Sequence, residues 1–138
     1  MKVIVDTCAW SLSLRRRDKI KIGADEQQVL TQLREAIRDG GAAIIGPVRQ
    51  EILSGIRNQA QFSKVEALLN PFPDEELSAV DYVEAARLFN LCQDHGVQCG
   101  PTDILICAVA IRKQFGILTY DQGLKRCMKV LQTEGLIR

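Results

Sequence analysis

The feature that most restricts the fold is a set of short aliphatic runs that carry no polar alternation. Lys2-Val3-Ile4-Val5-Asp6 has three consecutive aliphatic residues and then stops at an acid. A strand with one wet face alternates apolar and polar residues, so a run without alternation belongs to a strand buried on both faces, as in a parallel sheet. Ala42-Ala43-Ile44-Ile45 and Ile117-Leu118-Thr119-Tyr120 read the same way. Helical patterns separate and follow these runs, at about 26–39, 47–56, 59–69, 79–95, 103–114 and 122–129. Gly40-Gly41 closes the first helix, and Gly46-Pro47 opens the next with proline at its first position. Strands that alternate with helices predict an α/β fold, a three-layer α/β/α sandwich with a central parallel sheet. The 103–114 stretch is apolar almost all the way round, which marks it as the central buried helix.

The chain has 138 residues, 46% of them hydrophobic, and 18 Lys plus Arg against 17 Asp plus Glu. This predicts one globular domain over 1–138, with neither a polybasic arm nor an acidic tail. Any charge used for binding must therefore be local. The single histidine, His95, excludes two-histidine acid/base catalysis and leaves carboxylates as the better candidates for chemistry. Only three apolar residues follow Met1-Lys2, too few for a signal peptide, and the longest apolar run, 104–111, is too short to span a membrane. A cytoplasmic protein without membrane contact is expected. The five cysteines, Cys8, Cys92, Cys99, Cys107 and Cys127, are an odd number without close pairing, which predicts reduced thiols, most of them small core residues.

In an open α/β sheet, ligands bind beyond the carboxyl ends of the strands. Asp6 ends the first strand and Asp121 follows the last. The 103–114 helix runs into that last strand through only Phe115-Gly116, so the two are antiparallel neighbours, and similar lengths return Asp103 to the carboxyl edge. The helix from Pro47 leaves the end of the 42–45 strand at the same edge. Glu51 lies one turn in, beside the stripe of Val48, Ile52 and Ile56. Four converging carboxylates repel one another unless a cation compensates. An all-oxygen set without His or Cys suits Mg²⁺ or Mn²⁺, and such metals promote phosphodiester hydrolysis. Each acid also has an ordinary reading: Asp103, next to Thr102 as N-cap, favours the helix dipole; Asp6 and Asp121 are turn residues; Glu51 is a solvated helix acid.

At these residues the sequence resembles the PIN-domain family, and within it the VapC-type toxins of toxin–antitoxin pairs. The matching segments are Val3-Ile4-Val5-Asp6-Thr7-Cys8-Ala9-Trp10, Gln50-Glu51-Ile52-Leu53-Ser54-Gly55, Thr102-Asp103-Ile104-Leu105-Ile106-Cys107-Ala108-Val109-Ala110 and Ile117-Leu118-Thr119-Tyr120-Asp121. The resemblance implies a metal-dependent endoribonuclease that hydrolyses RNA with metal-activated water, the toxin of a type II pair. It implies Asp6, Asp103 and Asp121 as metal ligands for Mg²⁺ or Mn²⁺. Glu51 would complete the catalytic acids and orient the water, and Thr119 would support the site from behind. A cognate antitoxin and a homodimer are further implications. Many relatives carry an acid two residues after the last aspartate and then an aromatic, where this chain has Gly123 and Leu124. That departure bears on whether a second metal is held.

Arg15-Arg16-Arg17-Asp18-Lys19-Ile20-Lys21 is the one strongly basic segment, read either as an RNA contact near the site or as a solvated loop. Trp10, Leu12 and Leu14 are candidates for an antitoxin groove or for the core. Cys92, His95 and Cys99, with Cys107 remote, offer zinc ligands but lack the paired spacing of structural zinc modules. Cys8 is expected to be a core or edge thiol. Two rivals to the nuclease stand beside it: an inactive PIN-like domain that binds RNA or protein, and a haloacid-dehalogenase-like phosphohydrolase, which needs an acid where Cys8 stands.

Overall fold

In the computed structural model, residues 2–14 and 22–137 are described. Three of the four strands are the expected aliphatic runs: β1 (Val3–Val5), β2 (Ala42–Ile45) and β4 (Gly116–Leu118). The fourth, β3 (Asp74–Glu75), has only two residues and carries no hydrophobic signal. All pairings are parallel, in the order β3-β2-β1-β4. Ile4 pairs with Ala43 on one side and Ile117 on the other, so β1 is a central strand. Its Ile4 and Val5 are fully buried, which is why the run tolerates no polar alternation.

Among the described residues, seven helices cover the sheet: α1 (Thr7–Leu14), α2 (Ala24–Arg38), α3 (Gly46–Leu53), α4 (Gln59–Leu69), α5 (Ala79–Asp94), α6 (Pro101–Lys113) and α7 (Gln122–Thr133). α1 packs on α2 and α3, and α3 on α4, while α5, α6 and α7 pack on one another. The chain steps outward from β1 to β2 to β3, then returns across the sheet to place β4 on the far side of β1. With right-handed crossovers, this reversal puts the two helix groups on opposite faces. The result is the expected three-layer α/β/α sandwich.

α6 is the central helix, with Ile104, Ile106, Cys107, Ala108, Val109 and Ala110 all buried. It stops at Gln114, whose left-handed φ of 57° lets Phe115 N–H reach the Ala110 carbonyl at 3.0 Å before β4 begins. Several boundaries differ from the sequence pattern. α3 ends at Leu53, so Ile56 lies beyond the helix, packed against the core from the following turn. α6 starts at Pro101 with Gly100 as N-cap, which places Thr102 inside the first turn and not at the cap. α7 runs four residues past the expected end, since Val130 and Leu131 continue its buried stripe.

The edge strand β3 is fastened by polar contacts. Arg49 donates to Asp74 at 2.9 Å, to the Leu69 carbonyl at 3.2 Å, and to the Phe72 carbonyl. Trp10 is buried with its ring edge-on to Phe72, centroids 4.9 Å apart, which makes it a core residue and not part of a groove. Leu14 also packs against the core. The expectation of five reduced thiols is corrected: Cys99 and Cys127 form a disulfide, while Cys8, Cys92 and Cys107 are free. The partners are 28 residues apart in sequence and meet only because α7 packs beside the α5–α6 turn. Among the described residues, no helix is long and apolar enough to cross a membrane.

Candidate active site

The chain reverses direction between β1 and β4, and at such a switch point the diverging connections leave a crevice at the carboxyl edge. The crevice here is a cavity of about 360 Å³, lined by Asp6, Thr7, Cys8, Glu51, Gly100, Pro101, Thr102, Asp103 and Asp121. All four carboxylates singled out in the sequence therefore line one cavity. They arrive on four separate segments: the end of β1, α3, the first turn of α6, and the N-cap of α7. No basic side chain is among these lining residues.

Asp6 stands one residue past β1, its N–H bonded to the Leu118 carbonyl at 3.0 Å, so it prolongs the pairing with β4. Its side chain is 4% exposed and held by neutral donors. Thr7 N–H reaches Oδ1 at 2.7 Å, and the Thr119 hydroxyl reaches Oδ2 at 2.8 Å. Thr119 Oγ1 in turn accepts Asp121 N–H at 2.9 Å, so one hydroxyl fixes the relative position of two of the acids. The Cys8 sulfur sits 3.3 Å from Asp6 Oδ2 and 3.4 Å from Thr119 Oγ1, and its single proton serves one of them at a time.

Glu51 accepts from the Thr7 hydroxyl at 2.8 Å. Asp121 lies three residues beyond Leu118, and Thr119-Tyr120 separate it from the strand, so it follows β4 less closely than the sequence pattern implied. It caps α7, with Leu124 N–H on Oδ2 at 2.8 Å. The ordinary reading of Asp121 is a turn residue; the capping of α7 through one oxygen is a role that the sequence reading does not include. Gly123 is close packed against the same group, since a Cβ there would stand 3.1 Å from Asp121 Oδ2. A side chain at this position would require Asp121 Oδ2 to give way by a few tenths of an ångström. Gly100 plays a similar part for Asp103, where a Cβ would lie 3.3 Å from Oδ2.

Electrostatics separate this site from an ordinary polar surface. Burial pushes the Asp6 carboxyl above its usual range, opposed by the hydrogen bonds from Thr119, Cys8 and Thr7, with the charge of Asp121 adding to the rise. Asp103 is pushed up to about 6, first by burial and then by the charges of Asp6, Asp121 and Glu51; the Gly100 backbone opposes this. Burial also raises the Cys8 thiol to about 11, so it is a neutral neighbour at pH 7. Like charges repel, and among the described residues no three of these carboxylates approach within 4.8 Å of one another. The donor set is hard oxygen with excess negative charge, which fits a divalent cation of the Mg²⁺ class.

Thr7 and Cys8 belong to the site although neither was singled out for it in the sequence. The signal for Thr7 was its place directly after Asp6, where an N–H and a hydroxyl both face the strand end. The zinc candidate is not assembled as expected: His95 binds the Leu91 carbonyl at 2.9 Å and Glu134 at 3.0 Å, away from the sulfurs. At the C-cap of α5 its ring is turned back along its own helix. Cys92 and Cys99 do lie together, but with Cys127 as the third member. Arg15, Arg16 and Arg17 lie outside the described residues.

A parallel α/β sandwich with a polycarboxylate crevice at its switch point defines a class of α/β/α domain with an acidic site at the sheet edge. Comparison with family profiles makes it specific: the chain belongs to the PIN domain family, which it matches over residues 3–129. PIN domains are generally nucleases, hydrolases of phosphodiester bonds that use divalent metals. A comparison of the sequence with curated proteins finds no match.

Proposed function

We propose that this protein is a Mg²⁺- or Mn²⁺-dependent endoribonuclease with its active site at the four-carboxylate cavity. The observation that carries this reading is the uncompensated charge: four acids line one cavity without a basic side chain, and two of them are displaced upward in pKa. Asp6, Asp103 and Asp121 would hold the cation. A bound divalent ion supplies positive charge that polarises a phosphoryl oxygen and makes water a stronger nucleophile for in-line attack.

The chain's own residues do the positioning. Thr7 N–H and the Thr119 hydroxyl fix the two oxygens of Asp6. Leu124 N–H takes Asp121 Oδ2, so Oδ1 would be the oxygen left for a cation. Glu51, anchored through Oε1 to Thr7, orients the attacking water with its other oxygen. The basic charge of Arg15, Arg16 and Arg17 would attract a polyanionic substrate. The products carry 5′-phosphate and 3′-hydroxyl ends.

The likeness of the four quoted segments to VapC supports a finer reading, a toxin restrained by a cognate antitoxin in the cytoplasm. Val80 and Val83, 66% and 50% exposed on one face of α5, support a self-associating surface and so a homodimer. The decisive experiment incubates the protein with mixed RNA, with and without Mg²⁺ or Mn²⁺, beside Asp6→Asn and Asp103→Asn. Metal-dependent cleavage is expected only for the unsubstituted protein. Cleavage by either variant, or without metal, would falsify the site, and RNA binding without turnover would establish the inactive binding domain instead. Expression should arrest growth, and Asp6→Asn should relieve the arrest.

A further inference from the structure

The sulfur atoms of Cys92, Cys99 and Cys127 lie within 4.8 Å of one another, and all three side chains are buried. They come from the last turns of α5, the α5–α6 turn and the middle of α7. Cys99 and Cys127 are bonded, with Cα atoms 6.2 Å apart, inside the normal range for a bridge. Cys92 keeps its thiol, its sulfur 3.9 Å from the Cys127 carbonyl oxygen.

The position of the bridge relative to the acids is informative. Cys99 immediately precedes Gly100, which lines the acidic cavity and caps the helix carrying Asp103. Cys127 lies in the helix whose N-cap is Asp121. The closed loop between the two sulfurs contains Asp103, Thr119 and Asp121, all three of them residues of the site. Without the bridge, the 96–100 turn is held to α5 by backbone bonds such as Val97 N–H to the Cys92 carbonyl, at 2.9 Å. Nothing in that set ties it to α7.

We propose that Cys92, Cys99 and Cys127 form a thiol–disulfide site that sets how firmly the Asp103 and Asp121 segments are held together for a divalent cation. The inference rests on the metal-site reading above. Two routes open the bridge. A small dithiol reduces it: one reductant thiolate attacks a bridge sulfur, the second displaces the mixed disulfide, and two electrons and two protons pass to Cys99 and Cys127. Alternatively the Cys92 thiolate attacks Cys99 Sγ. The Cys92–Cys99 bond forms as Cys99–Cys127 breaks, and Cys127 leaves as a thiolate that takes up the proton Cys92 lost. This exchange needs no oxidant. It confines the bridge to the α5–α6 side and frees α7. Burial holds the Cys92 thiol above its ordinary range, so the internal route is slow at neutral pH and faster in alkali.

The test uses the full chain and Mn²⁺ as probe. Protein never exposed to reductant should show three reactive thiols on unfolding, from five cysteines, and all five after treatment with a phosphine. Calorimetric titration should show Mn²⁺ affinity falling about 3- to 10-fold on reduction and recovering with oxidised glutathione. Cys127→Ser should stay in the weak state with or without reductant, and Cys92→Ser should keep the response to the phosphine. Five free thiols at the outset would overturn the proposal. So would equal Mn²⁺ affinities in the two redox states, with the metal-site reading left standing. Absence of Mn²⁺ binding in both states would remove that reading as well. Stoichiometric zinc bound to the purified protein and released on thiol blocking would make the trio a metal site and end the exchange proposal.

Discussion

Two aspartates of this protein are nearly without exposed surface and electrostatically opposite. Asp6 is 4% exposed and Asp81 1%. Burial works to raise both. At Asp81 it is overcome: Arg112 donates through Nε to Oδ1 and through Nη2 to Oδ2 at 3.0 Å, Ser78 N–H adds a third bond at 3.0 Å, and the carboxyl is held below its usual range. At Asp6 the donors are a hydroxyl, a thiol and a backbone N–H, all neutral, and the carboxyl stays raised. Asp81 completes the capping box of α5 and closes its own charge balance. Asp6 leaves a negative charge open at a cavity. A structural carboxylate carries its counter-charge within the fold, whereas a binding carboxylate leaves that place for a ligand.

The contrast is broken most severely by neutralising the acids of the cavity. Asp6→Asn and Asp103→Asn should each reduce metal-dependent RNA cleavage on the order of 10²–10³-fold, the size found for loss of one strong electrostatic contact to a transition state. Circular dichroism should show the fold retained. On the structural side, Arg112→Met strands Asp81. Breaking a fully buried pair costs about 3–5 kcal/mol, and because Arg112 is 39% exposed, screening lowers this to about 2–3 kcal/mol. Urea unfolding measures the loss, and an unchanged midpoint would show that Asp81 finds another partner.

A third prediction sets the two aspartate classes against each other by pH. Asp103 has a folded pKa of about 6 against an ordinary 3.8, so between these values the folded state binds more protons than the unfolded state. Stability of the metal-free protein therefore falls as pH rises from about 4 to 6, and the deficit persists above 6. Asp103→Asn should relieve it, raising stability at pH 7 by about 1–3 kcal/mol while cleavage is lost. Asp81, lowered in the folded state, contributes the other way: its stabilisation is present above the ordinary value and is lost as pH falls through the folded pKa, so Asp81→Asn should destabilise at pH 7. Mn²⁺ binding should weaken as pH drops through 6, measured by titration at a series of pH values. The smallest effect is expected from Thr119→Val, which removes the hydroxyl between Asp6 and Asp121 and should lower cleavage about 10-fold. Thr119→Ser should retain most activity, since it keeps the bonded oxygen.

The sequence was most legible where burial was uniform. β1, β2 and α6 could be read because continuous aliphatic runs have few stable placements in a layered fold. Asp6, Asp103 and Asp121 could be placed at one edge by counting residues along a helix and a strand of similar length. β3 was not legible: it is two acidic residues made into a strand by Arg49 and by its neighbour β2, and neither cause is local. Thr7 was passed over because a threonine after a strand is common, and its importance depends on Glu51, 44 residues away. The Cys99–Cys127 bridge was invisible for the same reason.

The sequence by itself determined the layered parallel fold and the set of acids at its edge, because both follow from periodicities and lengths that local chemistry enforces. Tertiary structure alone decided which carboxylates keep an open charge. Asp6 and Asp81 are the same residue type and both are nearly without exposed surface, yet stronger desolvation leaves the Asp6 carboxyl raised, while Arg112 beside Asp81 makes that residue a brace. The same holds for the sulfurs, since a cysteine's role is set by which other sulfur the fold brings within bonding distance.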